Sequence, residues 1–213
     1  MDKVISWYIK NKVEKTIGNL EKNNICGLFV NNNFELREKI KQLIPDGSRV
    51  DIGDSVTLFD TGIVDLLRNG SYDFLDKYKD GITSEEKKQL YQANFSADTF
   101  LSGTSALTEH GELSNIDGNG SRVAPMIYVP AQVIIVVGVN KIVSDLAEAE
   151  KRVRNYAAPL DAKRLNKNTP CATLGYCVDC KSPERICNTF VVIKRQFTKD
   201  RIKVIIVNEQ LGY

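Results

Sequence analysis

Six consecutive residues, Val133-Ile134-Ile135-Val136-Val137-Gly138, constrain the fold more than any other stretch of this chain. β-Branched side chains on both sides of the backbone, closed by a glycine, describe a strand with no wet face. Such strands belong to parallel sheets covered by helices. The rest of the chain supplies the rhythm a parallel sheet needs. Residues 2–23 read as an amphipathic helix: Val13, Ile17 and Leu20 fall at helical spacing, Val4 and Tyr8 extend the stripe, Asp2 caps the start and Asn23-Asn24 ends it. Ile25–Val30 reads as a buried strand containing Cys26 as a core residue. A helix follows over about Phe34 to Leu43, then a Pro45-Asp46-Gly47 turn and a second strand, Arg49–Ile52, ending at Gly53. Strand, helix and strand at this spacing predict parallel βαβ units.

Downstream, Thr61-Gly62 and Asn69-Gly70 break the helical stretch into short pieces, and Thr83 or Ser84 with Glu86 starts another helix to about Ala97. Asp98–Leu107 and Glu112–Ile116, joined at His110-Gly111, predict a β-hairpin. Asp117-Gly118-Asn119-Gly120-Ser121 is a dense turn. Ser144 is read as the cap of a helix reaching about Ala157, and Phe190–Ile193 and Lys203–Val207 as two closing strands joined by a polar turn. The predicted class is α/β with a mostly parallel sheet, in one domain over 1–213 with a cysteine-rich loop at 168–188.

Composition narrows the function more by exclusion. With 42% hydrophobic residues the 213-residue chain can build a core, and its net charge of +2 gives no global pull toward nucleic acid or anionic membrane. The run at 133–138 is far short of the ~20 apolar residues a membrane span needs. Asp2, Lys3, Lys10, Lys12 and Glu14 occupy the place where a signal peptide would be apolar, so a cytoplasmic protein is expected. The charge is uneven: residues 1–140 carry 15 basic and 19 acidic side chains, a net of −4, and residues 141–213 carry 14 and 8, a net of +6.

Within that basic part lies Cys171-x5-Cys177-x2-Cys180-x6-Cys187. Four thiolates within reach of one point suit tetrahedral zinc or an iron–sulfur cluster, and the two-residue gap between Cys177 and Cys180 lets one tight turn aim two sulfurs at the same ion. Lys181 and Arg185 nearby favour the thiolate form. Disulfides, redox thiols and inert thiols are the alternatives. Elsewhere, Gly53-Asp54-Ser55 sits where a strand meets a helix, a junction that exposes backbone N–H groups to anions. Lys141 follows the end of the central strand, the usual place for ligand-binding residues in open α/β sheets. His110, the single histidine, stands in a turn, and nucleotide-binding glycine loops of the GxxxxGK[ST] and GxGxxG types are absent.

Taken in order, Gly53-x-Ser55-x-Thr57-Leu58, Gly103-Thr104-Ser105-Ala106-x-Thr108-x-x-Gly111, Asp117-Gly118 with Arg122-Val123, and Val136-Val137-Gly138-Val139-Asn140-Lys141-Ile142-Val143 resemble the LUD-domain (lactate utilisation) family. The run from Pro170-Cys171 through Cys187-Asn188 is similar to the ending of its short stand-alone members. The resemblance implies a three-layer α/β fold of the sugar-phosphate isomerase and CoA-transferase kind. It also implies ligand binding at strand ends, and iron–sulfur or flavin partner proteins in lactate oxidation. Two positions depart from the family pattern, Ser105 and Ser121, each standing where the family usually has Asn.

On this reading Arg122 and Lys141 hold the carboxylate of a small hydroxy- or oxo-acid. The backbone after Gly53 and Gly103 assists, together with Asp54, Ser55, Thr57, Thr104, Ser105 and Asn140. Lys141, Asp117 and Glu109 are the candidate acids and bases, and Cys171, Cys177, Cys180 and Cys187 hold zinc or an iron–sulfur cluster in an electron-transfer system. Two other readings stand beside it: an isomerase, transferase or hydrolase acting on a phosphorylated or CoA-linked small molecule around a structural metal, and a non-catalytic metal or redox sensor. A homodimer is among the expected assemblies.

Overall fold

A computed structural model describes residues 2–213. Its elements are α1 (Lys3–Lys22), β1 (Cys26–Val30), α2 (Asn33–Leu43), β2 (Arg49–Ile52), α3 (Val56–Asp60), α4 (Ile63–Asn69), β3 (Asp73–Phe74), α5 (Ser84–Ala93), β4 (Thr99–Gly103), β5 (Ala106–Thr108), β6 (Leu113–Asp117), α6 (Val123–Ile127), β7 (Gln132–Gly138), β8 (Ile142–Val143), α7 (Leu146–Arg152), α8 (Ala158–Arg164), α9 (Pro170–Leu174), β9 (Thr189–Ile193) and β10 (Ile202–Val207). A π-turn over Val153–Ala157 joins α7 to α8.

Six strands form an all-parallel sheet in the order β1-β10-β7-β4-β2-β3, and β8, β5, β6 and β9 form a second, mixed sheet. The 133–138 run is β7, at the middle of the parallel sheet, and alternation explains why it is apolar throughout. Val133, Ile135 and Val137 pack with Val13 and Leu20 of α1 and with Leu107, Leu113 and Ile193 of the second sheet. Ile134 and Val136 point the other way, into Leu36 and Ile40 of α2, Leu58 of α3 and Leu67 of α4. Strand β10 repeats the division, with Ile202, Val204 and Ile206 on one face and Ile205 and Val207 on the other. The result is a three-layer α/β fold: helices α2–α4, the parallel sheet, then α1 with the second sheet and its helices.

Three expectations are corrected. The hairpin is shorter than 98–116: Thr99–Gly103 joins the parallel sheet between β2 and β7, and only Ala106–Thr108 pairs antiparallel with Leu113–Asp117. The closing strands part company, β9 running beside β6 and β10 between β1 and β7. The α1 stripe is buried only from Val13 onward. Val4 and Tyr8 are exposed, while Ile9 packs partly against the core. One boundary shifts slightly and one expected start is met. Asp145, not Ser144, caps α7 through its side chain, and Thr83 with Glu86 forms the full capping box of α5. Cys26 opens β1 and is half-buried, and His110 is exposed in its turn.

Strand β7 ends against the C-terminal segment. A Cβ placed on Gly138 would lie 2.6 Å from the Glu209 carbonyl oxygen and 2.8 Å from the Leu211 nitrogen, both backbone atoms with little room to move. Gly138→Ala is expected to cost about 1–3 kcal/mol through overpacking. A thermal melt of the variant unchanged from the parent would contradict that packing.

Candidate functional site

The direction of the crossovers locates the site. From β2 the chain goes outward to β3 at the sheet edge. It then returns to β4 on the other side of β2 and continues through β7 to β10. The order reverses between β2 and β4, and open parallel sheets bind ligands at the carboxyl ends of the strands flanking such a reversal. Those ends are Gly53 and Gly103, and beyond them opens a cleft of about 530 Å³.

The two glycines are required by close approach. A Cβ on Gly53 would meet the Arg122 side chain at 2.8 Å, and one on Gly103 would meet Ser55 Oγ at 2.6 Å. The cleft is lined by Asp54, Ser55, Gly103, Thr104, Ser105, Asp117, Arg122 and Lys141, a set drawn from four separate motifs. Gly53, Thr57 and Asn140 stand behind the lining. Thr57 is buried against Lys141, and Asn140 accepts from the Leu211 N–H at 3.1 Å and donates to the Gly212 carbonyl. Glu109 is not among the lining residues. It sits at the hairpin turn, where Lys15 at 2.7 Å and Lys12 at 3.8 Å tie it to α1.

Three successive backbone carbonyls, beginning with the last residue of β4, each take a cation. Arg122 Nη1 donates to Gly103 O at 3.3 Å, Lys141 Nζ to Thr104 O at 3.4 Å and Arg152 Nη1 to Ser105 O at 2.6 Å. Among the described residues none of the three forms an ion pair with a carboxylate. Arg122 is further held by Asn115 Oδ1 at 2.7 Å and Ile116 O at 2.8 Å, and the Asn115 carboxamide also accepts the Ser105 N–H at 3.3 Å. Lys141 is 3% exposed, and its Nζ lies 3.2 Å from Thr57 Oγ1. Burial first, then repulsion from Arg152 and Arg122, brings its pKa down to about 7, against a weaker pull from Asp161 and Asp60.

The carboxylates have distinct surroundings. Asp117 accepts the backbone N–H groups of Gly120, Arg122 and Val123 at 3.1–3.3 Å, so it shapes the 117–123 turn that presents Arg122. Asp54 is exposed and receives the hydroxyls of Tyr78 and Tyr91. Burial, together with the Asp54 charge, pushes the Tyr91 hydroxyl well above its ordinary value.

The cysteine loop is part of this cleft. Arg185, Ile186 and Asn188 line it together with Arg164 and Lys167, while Asn188 donates to Gly118 O and its N–H to Asp117 O. All four loop cysteines are free and half-buried. The Asp179 N–H lies 3.4 Å from Cys177 Sγ, and Arg185 donates to the Cys180 and Cys187 carbonyls. The four thiols thus sit on one loop that Arg185 holds together. As soft donors on one loop they suit zinc or a cluster. Among the described residues, however, no three His, Cys, Asp or Glu side chains stand close enough together to hold an ion.

The sequence reading missed Tyr91, Asp161, Arg164, Lys167, Arg185 and Tyr213 as lining residues. The signal for Asp161 and Arg164 was their i,i+3 spacing beyond Pro159, a proline that begins α8 where a helix end was expected. No helix among the described residues is long and apolar enough to cross a membrane.

A family model described as the LUD domain matches residues 13–207. No curated protein matches the sequence. Among solved structures the chain is similar to a DUF162 family protein from Deinococcus radiodurans, with a TM-score of 0.51 and 16% identity over 94% of this chain and 97% of that one. Partial similarity extends to eIF2B beta from Chaetomium thermophilum (TM-score 0.39, 14% identity, 56% of this chain and 42% of that one). It extends likewise to eIF2B delta from the same organism (0.35, 18%, 56% and 53%).

Proposed function

The chain belongs to the LUD-domain family, and from that premise we propose that its strand-end cleft binds a small hydroxy- or oxo-acid on behalf of an electron-transfer oxidoreductase system. The observation that carries this reading is the set of three cations on the successive carbonyls of Gly103, Thr104 and Ser105, none paired with a carboxylate among the described residues. Arg122 and Lys141 line the cleft with no direct carboxylate partner, so an anionic ligand stabilises them, and a guanidinium matches a carboxylate in two-point geometry. Asn115, which the sequence reading passed over, is the positioning residue. Its one oxygen serves both Arg122 and the Ser105 N–H.

In this reading Cys171, Cys177, Cys180 and Cys187 hold zinc or an iron–sulfur cluster, the latter supplying one-electron transfer to iron–sulfur or flavin partner proteins. Support comes from the loop itself, which lends Arg185, Ile186 and Asn188 to the cleft. A phosphorylated small molecule is the second reading, favoured by the further cations Arg164, Lys167 and Arg185 at the cleft rim.

Protein purified without oxygen is expected to be coloured, with iron and sulfide in the metal analysis, and to be stabilised by L-lactate or pyruvate in a thermal-shift panel. Colourless protein carrying zinc would remove the electron-carrying role. Stabilisation by sugar phosphates alone would select the second reading.

A further inference from the structure

We propose that Lys141 is a nucleophile that forms an iminium with the carbonyl carbon of a small oxo-acid seated in the cleft, an inference that rests on the acid-binding reading above. Two buried lysines show the contrast. Lys77 is 1% exposed and ion-paired to Asp51 at 2.7 Å, with the Tyr91 ring 4.9 Å from its Nζ. Its amine is fully engaged. Lys141 is as deeply placed, yet its Nζ meets only a hydroxyl and a carbonyl, Thr57 Oγ1 at 3.2 Å and Thr104 O at 3.4 Å. Unlike Lys77 it borders the cleft, so a ligand can reach it.

An amine becomes a nucleophile when it sheds its proton, and a buried site flanked by other cations is how lysines are brought to that state near neutrality. The flanking cations here are Arg122 and Arg152, bonded to the carbonyls on either side of the one Lys141 uses. Arg122, the member of the pair that lines the cleft, defines the electrophile. A carboxylate drawn toward its guanidinium brings an adjacent carbonyl carbon toward the Lys141 side of the turn, whereas a hydroxy-acid binds without offering an electrophile.

The step balances without an external oxidant. The neutral amine nitrogen attacks the carbonyl carbon, the C–O π bond opens, and one proton passes from the nitrogen to the oxygen, giving a neutral carbinolamine. A second proton, taken from solvent, lets that oxygen leave as water while the nitrogen lone pair closes the C=N bond.

Full-length protein would be mixed with pyruvate and sodium cyanoborohydride, digested and mapped by mass spectrometry, with thermal shift by L-lactate and by pyruvate measured in parallel. The expected result is one reduced pyruvate adduct per chain, carried by Lys141. It should be absent from Lys77, fall off as the pH drops below about 7, and be lost in Lys141→Arg. Mapping the parent protein requires no variant to fold. If both acids stabilise the protein and no adduct forms at Lys141, or if adducts scatter over surface lysines, the nucleophile is overturned while the acid-binding cleft stands. If neither acid stabilises the protein and no adduct forms, the cleft reading falls and takes this inference with it.

Discussion

Replacing Lys77 by methionine while leaving Asp51 in place is expected to destabilise the protein by about 3–5 kcal/mol, the cost of abandoning one charge of a buried pair. Both side chains are fully buried and 2.7 Å apart. Burial pushes the Asp51 carboxyl above its ordinary range, and Lys77 is the largest influence holding it down. Without Lys77, Asp51 keeps the Ile52 N–H as its hydrogen-bond donor, and it must take up a proton or unfold the loop to reach water. Asp51→Leu combined with Lys77→Met should recover most of the loss, since an apolar pair of similar volume is often as stable as a buried ion pair. Urea unfolding of the two singles and the double is the measurement. Singles within about 1 kcal/mol of the parent would show that water reaches the pair. The effect extends beyond stability, because the segment carrying Lys77 also carries Tyr78, which packs edge-on against Phe59 at 5.0 Å and reaches Asp54 at the cleft.

Lys141→Met should act in the opposite direction. The parent lysine has a pKa of about 7 when folded against 10.5 when free, so the unfolded chain binds more protons between those values. Its penalty is complete below about pH 7, shrinks as the pH rises toward 10.5 and disappears above it. A shift of that size corresponds to about 5 kcal/mol. The methionine variant keeps the aliphatic stem and drops the ammonium, so it should be more stable than the parent at pH 6 and close to it at pH 10. The same substitution should abolish stabilisation by small carboxylates. Equal stability of parent and variant across that range would mean that the amine is solvated or already neutralised. Loss of stability at low pH in the variant would reverse the sign of the argument.

Where the sequence could be read, the reason is local. Val133–Val137 is legible as a central strand because no polar residue interrupts it, and the only environment that accepts such a strand is covered on both faces. Asp54, Ser55, Thr104 and Arg122 could be nominated because each follows a strand or turn, and the topology collects such positions at one edge. The β4–β5 boundary was hidden because Ser102-Gly103-Thr104-Ser105 is a run of small residues that an extended strand also accepts, and nothing in it tells one strand from two strands in different sheets. Lys141 could be placed by its position after β7, but its burial depends on Thr57 and Gly212, far away in the chain. The Asp51–Lys77 pair spans 26 residues and has no local signature. The cysteines were visible at once as a group. That their loop walls the same cleft as Lys141 was not, because the contact runs through Asn188 to Gly118 and Asp117, 70 or so residues earlier.

The π-turn between α7 and α8 makes the far rim of the cleft a question of helical phase. In a uniform α-helix each residue advances about 100°, so side chains nine positions apart point in opposite directions. Arg152 and Asp161 are nine apart, yet one bonds the Ser105 carbonyl and the other lines the cleft beside it. The wider turn over Val153–Ala157 accommodates an extra residue and slips the phase backward, rotating α8 until Asp161 and Arg164 come round to the cleft. One added residue in the middle of a helix thus does the work of a hinge that never moves.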